Sequence, residues 1–324
     1  MKIIHLINPL WNAAGGAEWR TLALYDFLKP HADVHIWKQS KWNARFPTQY
    51  PIETIALHDK RFPCGGTFVF IGCYWEPGDW VCHTKADRVI IIYNNARPQN
   101  AVALMLKRLS VLKTICEFVY ASKRMQQLTG LPGHVHPSLI DLNRFTPPGN
   151  ICAHREDHFC VGRLSRDDAS KHHTGDTSVY KELAKAGIKI RIMGGTCLQD
   201  LSCNVNGIEL LPTCAVPADL FLKELDCFYY RTSPDIYESF GRVIMEAMAT
   251  GLPVVAHKDG GYAEWITNGK DGFLFESEQE ALNLLLSLKQ DRSLCKSIGL
   301  AARETVEKIY SIDEQNKMLN FYLK

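Results

Sequence analysis

The sequence predicts an α/β protein built from two doubly wound domains facing across a cleft. Three observations carry that expectation. The chain has 324 residues, more than one ordinary hydrophobic core holds. Short apolar runs alternate with helix-like segments, pause near residue 146, and resume after 151. The net charge of +2 also divides unevenly: residues 1–145 hold 17 Lys+Arg against 10 Asp+Glu, a balance of +7, and the remainder holds 20 against 25, a balance of −5. A basic half beside an acidic half suits two domains, with the first meeting something anionic.

In the first half, buried strands are expected at 2–7, 34–37, 67–72, 89–93 and 118–121, and helices at 17–28 and 101–113. The stretch "TPPGN" at 146–150 has the composition of a linker. Strands are then expected at 158–162, 189–193, 207–211, 227–230, 253–256 and 272–275. Helices should fall at 179–186, 218–224, 241–249, 263–267 and 278–289. The expected domains are 1–146, joined by a last helix at about 308–324, and 151–307.

Composition narrows the class further. An apolar fraction of 46% with 22% charge describes a soluble globular chain, and no apolar run approaches the ~20 residues that span a bilayer. The opening "MKIIHLINPLWN" reads as a buried strand and loop, being too short and too interrupted for a secretory signal. Eleven cysteines make an odd number without any C-x-x-C, which predicts reduced thiols, a cytoplasmic location and no zinc site.

Two stretches carry chemistry. In "HFCVGRLSRDDASKHH", a strand runs into Arg163, with Lys171 eight residues on. Ligands of open α/β sheets bind beyond the carboxyl ends of strands, where a guanidinium and an ammonium suit a diphosphate. A pair of solvated surface cations is the open alternative. In "PDIYESFGRVIMEAMATG", Pro234, Asp235 and Ser239 oppose a continuous helix. The helix should start near Gly241, leaving Glu238 before its N-terminus and Glu246 one turn inside. Its free N–H groups and partial positive charge would face an anion, and Gly241 would let a phosphate approach closely. Glu238 and Glu246 could then accept hydrogen bonds from hydroxyls at either end of a nucleoside-diphosphate sugar. The bland alternatives are a helix-capping loop carboxylate for Glu238 and an ordinary exposed helix residue for Glu246.

The segment "ESFGRVIMEAMATGLPVVAHKDGGYAEWITNGKDGFLF" resembles the signature of family 4 glycosyltransferases of the GT-B fold: Glu-x7-Glu, then Ala-x-x-x-Gly-x-Pro-Val-Val, Gly-Gly and Asn-Gly-x-x-Gly. "GGAEWR" at 15–20, "IDLNRFTP" at 140–147 and "VGRL" at 161–164 resemble it too. The likeness is dense from 141 to 275 and sparse through 37–119. It implies a GT-B fold of two Rossmann-like domains and retaining transfer of a hexose from a nucleoside-diphosphate sugar, by family frequency UDP-glucose. The acceptor would be a glycan or glycolipid in polysaccharide assembly, with no metal and no cofactor beyond the donor. Carried over by position, Glu238 contacts sugar hydroxyls and Glu246 the ribose. Arg163 and Lys171 hold the diphosphate, Ser239, Phe240 and Gly241 line the sugar–phosphate region, and Gly15 and Gly16 approach the donor phosphate from the first domain. The base lies near 209–212, and the last helix, at about 311–322, crosses back to the first domain.

Departures from the family pattern leave some roles open. Where many relatives place a histidine near the reacting sugar, this chain offers Trp75, Glu76, Asn94 and Asn95, with His83 a poor fit. Trp75 would be either a sugar-stacking platform or a packing residue. The long step from Arg163 to Lys171 admits His172 or Arg166 in their place. Arg242 stands where the family carries an aliphatic or polar residue, and would either join the phosphate clamp or face solvent. The leucine-rich basic segment 103–125 reads as a sheet-packing helix, with a peripheral contact at the inner membrane face as the other option. Nucleic acid is not an expected partner. A GDP-mannose-dependent mannosyltransferase and a non-catalytic nucleotide-sugar-binding protein remain as rival readings. A dehydrogenase does not, because "NAAGGAE" lacks the Gly-x-Gly-x-x-Gly spacing.

Overall fold

The structure is a computed structural model that describes residues 1–39, 46–94, 99–148, 158–202 and 205–324. It comprises two compact units, Met1–Leu139 with Ile312–Lys324, and Ile140–Ser311. The divide thus falls at 139/140, whereas the expected linker at 146–150 lies in the second unit as far as Pro148. Residues 149 and 150 lie outside the described residues.

The first unit contains β1 (Ile3–Asn8), α1 (Gly16–Leu28), β2 (Asp33–Lys38), β3 (Ile52–Thr54), β4 (Thr67–Ile71), β5 (Arg88–Tyr93), α2 (Gln99–Leu109), β6 (Cys116–Tyr120), α3 (Lys123–Thr129) and β7 (His134–Val135). Seven parallel strands pair in the order β3-β2-β1-β4-β5-β6-β7. The central strands are covered on both faces, which is why "TFVFI" and "RVIIIY" read as continuous apolar runs rather than alternating ones. Ile4, Leu6, Val69, Ile71, Ile90, Ile92 and Val119 form the core with Leu24 and Leu28 of α1. In α2, Met105 and Leu109 are buried while Leu104 is exposed, so the helix packs on the sheet and keeps an outward side.

The second unit contains β8 (Phe159–Leu164), α4 (Asp176–Lys185), β9 (Ile188–Met193), α5 (Gln199–Ser202), β10 (Ile208–Leu211), α6 (Ala218–Lys223), β11 (Cys227–Tyr230), α7 (Arg242–Ala249), β12 (Val254–His257), β13 (Phe273–Phe275), α8 (Glu278–Gln290) and α9 (Arg292–Ile309). Six parallel strands pair in the order β10-β9-β8-β11-β12-β13. Strand order reverses between β8 and β11, and a doubly wound sheet binds ligands beyond the carboxyl ends of the strands at that switch point. The expected helix at 263–267 is instead a 3₁₀ turn, Gly261–Trp265. The 18-residue α9 has no counterpart among the expected elements.

α10 (Ile312–Tyr322) belongs to the first unit. Its Phe321 ring lies 4.5 Å from His134 and 4.8 Å from His136. Arg88 covers the same ring at 4.5 Å and donates to the Phe321 carbonyl at 2.5 Å. No described helix is long and apolar enough to cross a membrane. The described cysteines are free thiols.

Candidate active site

At the carboxyl end of β8 the chain turns through Ser165–Asp168 into a 3₁₀ turn, Ala169–Lys171. Asp168 caps that turn, accepting from the Ser170 N–H at 3.0 Å and the Ser170 hydroxyl at 2.8 Å. The expected diphosphate ligand Arg163 is not at the surface: its side chain is 0% exposed, so the reading of two solvated cations fails. The guanidinium donates to the Lys171 carbonyl at 2.6 Å and the Arg231 carbonyl at 2.7 Å. It stacks over the Tyr230 ring at 4.8 Å and lies 3.8 Å from Asp176. Five donors in a planar fork suit this duty better than an ammonium would. Arg163 therefore ties the loop after β8 to the loop after β11.

Lys171 is thereby presented beside the second loop. Its Nζ lies 2.8 Å from Glu238 Oε2, and the Tyr230 hydroxyl donates to the same oxygen at 3.0 Å. Burial pushes the Glu238 carboxyl up, but the Lys171 ammonium and the two hydrogen bonds outweigh it, and its pKa ends below the usual glutamate range. The Glu238 carbonyl accepts from the Gly261 N–H at 2.7 Å, which fixes the loop from outside. Ser239 and Phe240 follow, both 5% exposed.

Gly241 is the N-cap of α7, with φ 72° and ψ 53°. This is the left-handed region, where glycine avoids the clash that a Cβ meets. Space forbids a side chain as well, because a Cβ would sit 2.7 Å from Tyr262 Cδ1. One turn into α7, Glu246 is 6% exposed, so the ordinary-exposed-residue reading fails. Its Oε1 pairs with Arg242 Nε at 2.8 Å. Burial dominates there and the Glu246 pKa is raised, against the opposing effect of Arg242 and Arg144. The two acids thus stand in opposite electrostatic settings, each touching one cation.

The remaining expectations sort cleanly. His172 is buried, with Nε2 2.9 Å from the Gly194 carbonyl, and burial beside Arg163 lowers its pKa to about 4. It therefore holds the loop as a neutral imidazole. Glu209 pairs with Arg191 at 2.7 Å. In the first unit, Gly15 is the N-cap of α1 and Gly16 its first residue. A Cβ on Gly15 would collide with the Glu18 carboxylate, whereas one on Gly16 would meet nothing within 4 Å. Trp75 is a packing residue: it is 7% exposed, donates to the Ile71 carbonyl at 3.1 Å, and lies 5.9 Å from Phe70. Glu76 pairs with Arg108 at 2.7 Å, His83 is the exposed last residue of a 3₁₀ turn whose Trp80 and Val81 are buried, and Asn95 lies outside the described residues.

Sequence reasoning missed Tyr230, Tyr262 and Asp176. Asp176 accepts from the Tyr229 hydroxyl at 2.7 Å and lies 3.6 Å from Arg231. Burial pushes its carboxyl up to about 6 despite the neighbouring arginines. The Arg242–Glu246 contact was legible as an i,i+4 pair.

A doubly wound sheet in each of two units, with an acid-bearing loop and helix at the second switch point, is the GT-B architecture of glycosyltransferases. Residues 156–305 match the model of the family described as glycosyl transferases group 1. Sulfoquinovosyl transferase SQD2 of Arabidopsis thaliana is 42% identical over 136 residues, covering 40% of this chain and 26% of that protein. Sucrose synthase isoform 1 of Daucus carota is 36% identical over 325 residues, covering 87% of this chain and 38% of that protein. The chain thus spans well under half the length of these curated relatives. Among solved structures, Anabaena Alr3699/HepE in complex with UDP and glucose superposes with a TM-score of 0.74 at 18% identity, covering 100% of this chain and 99% of that one. Sucrose-phosphate synthase from Thermosynechococcus elongatus does so with a TM-score of 0.74 at 14% identity, covering 100% and 98%. At these identities the structural likeness is one of fold.

Proposed function

We propose that this protein is a retaining, metal-independent glycosyltransferase that moves a hexose from a uridine-diphosphate sugar to a glycan or glycolipid acceptor in polysaccharide biosynthesis. The observation that carries the reading is the contact of Lys171 with Glu238 beside the left-handed Gly241 and the N-terminus of α7. One small region thus offers an ammonium and free backbone N–H groups for a departing diphosphate, with an ionised acceptor of sugar hydroxyls next to them. The name of HepE in complex with UDP and glucose is the support for the choice of base and sugar.

In this reading Lys171 and the N–H groups of α7 stabilise charge that develops on the leaving diphosphate, which is transition-state electrostatics. Glu238 orients the sugar, Glu246 the ribose, and Arg163 acts through the loops it ties. Retention without a covalent intermediate follows if the leaving phosphate accepts the acceptor's proton on the same face. The +7 charge of residues 1–145 suits an anionic acceptor or membrane surface.

Calorimetric titration of UDP, GDP and ADP, with and without magnesium, tests the donor site. UDP should bind tightest regardless of magnesium, and Lys171→Ala should weaken it by about tenfold or more, the loss of a charge-assisted contact. Glu238→Ala should leave UDP affinity within about threefold while UDP-glucose turnover collapses, since its contacts are to the sugar. Failure of all three nucleotides to bind would overturn the reading.

A further inference from the structure

Arg242 occupies the first position of α7, the end of a helix where exposed N–H groups disfavour a cation. No acidic residue in that turn offsets it. Its side chain is 17% exposed and that of Glu246 8%, so the pair is largely withdrawn from water. An ion pair of that kind contributes little net stability, because desolvation opposes the attraction. The contact is better explained by what it does to Glu246.

The charged groups around Glu246 are Arg242 on its own helix, Arg144 in the segment before β8, and Asp219 on α6. Arg144 is already engaged by Asp219, Nε to Oδ1 at 2.7 Å. Arg242 is therefore the cation that grips the carboxylate, and it does so at Oε1. A carboxylate held at one oxygen loses its freedom of rotation and presents the other in a fixed direction. The other oxygen can then accept from one hydroxyl of a vicinal diol, and the remaining lone pair of Oε1 from the second.

We propose that Arg242 is a positioning residue that orients Glu246 toward a vicinal diol and so sets the preference of this chain for a ribonucleotide over its 2′-deoxy counterpart. The inference rests on the nucleotide-sugar reading above and adds the residue on which ribose selection depends. Where an aliphatic side chain stood at 242, the carboxylate would have no such tether.

Calorimetric affinities for UDP, 2′-deoxyuridine diphosphate and inorganic pyrophosphate test it, on wild type, Arg242→Leu, Arg242→Lys and Glu246→Gln, with a thermal melt of each. Wild type should prefer UDP over the 2′-deoxy form by about tenfold or more, the worth of a hydrogen bond to a charged group. Arg242→Leu should shrink the preference to within about threefold and leave pyrophosphate affinity unchanged, because the diphosphate contacts are elsewhere. Arg242→Lys should retain part of the preference. Retention of the full wild-type ratio in Arg242→Leu would overturn the proposal. Equal weakening of all three ligands would also overturn it, since the cation would then serve the diphosphate. Should Arg242→Leu fail to fold, Glu246→Gln carries the same prediction, and an undiminished ratio there is equally fatal. Absence of UDP binding to wild type would instead remove the donor-site reading itself, before any variant is compared.

Discussion

Replacing Gly241 by alanine puts two independent penalties at the junction between the Glu238 loop and α7. The backbone there has φ 72°, and a Cβ in the left-handed region costs roughly 1–2 kcal/mol. The added atom would also lie 2.7 Å from Tyr262 Cδ1, 3.0 Å from Tyr262 Cβ and 3.1 Å from Ile244 Cδ1. Tyr262 is 1% exposed and its hydroxyl donates to the His257 carbonyl at 2.7 Å, so the ring has nowhere to swing. Overpacking of that sort costs about 1–3 kcal/mol, which brings the expected loss to roughly 2–5 kcal/mol. Urea unfolding followed by circular dichroism should show the midpoint falling by about 1 M or more at an ordinary slope. Gly269→Ala is the control: φ is 78° but no atom lies within 4 Å of its Cβ, so only the conformational penalty of about 1–2 kcal/mol applies. Equal midpoints for the two variants would refute the steric half of the argument. An unchanged Gly241→Ala midpoint would refute both halves.

Three further outcomes are expected. Asp176→Asn should destabilise the second unit by about 3–5 kcal/mol in the same urea assay, because Arg163 would keep a buried charge without a counter-ion while Arg231 retained only Glu278; a loss under about 1 kcal/mol would show that the carbonyl contacts suffice. Acid should destabilise the fold through histidines buried neutral: burial lowers His5 and His172 to about 4 and His136 to about 3. Their folded pKa lies below the unfolded value, so the unfolded chain binds more protons as pH falls; stability is full above about 6.5 and is lost from there toward 4. For His172 that amounts to about 2 kcal/mol at pH 5, and His172→Gln should flatten the fall in melting temperature between pH 7 and 5; an unchanged slope would contradict its burial as the neutral form. Gly299→Ala should push α9 away from the turn that follows α7, since its Cβ would collide with the Gly251 carbonyl oxygen. A destabilisation of about 1–3 kcal/mol is expected, and a neutral effect on the urea midpoint would show that the helices can part freely.

The sheets were legible because parallel strands buried on both faces are unbroken apolar runs. β3 and β7, three and two residues long, escaped because edge strands that short carry no periodicity. α9 escaped for another reason. Its buried positions Cys295, Ile298, Gly299, Ala302 and Val306 recur at helical spacing, but three of the five are small, which permits close approach to α7 and thins the apolar stripe. At the site, Gly241, Glu238 and the start of α7 could be placed from turn and cap chemistry. The burial of Arg163 could not, because a guanidinium reads as surface until its carbonyl partners are known. The later part of the signature proved to be architecture: Asp271 accepts from the Thr267 N–H and the Thr305 hydroxyl, both at 2.7 Å, and Asn268 from the Leu274 N–H at 2.9 Å.

Arg163 grips its two loops by main-chain carbonyls, at Lys171 and Arg231, and Ser233 N–H reaches the Ser170 carbonyl at 3.2 Å in the same manner. Every residue, proline included, presents the same carbonyl whatever its side chain. The outline of the rim is consequently indifferent to which side chains decorate it. Position 171 can be exchanged without redrawing the scaffold beneath, whereas the Arg231 side chain also holds Asp176 and Glu278, so variation at the rim is tolerated at the first position and destabilising at the second.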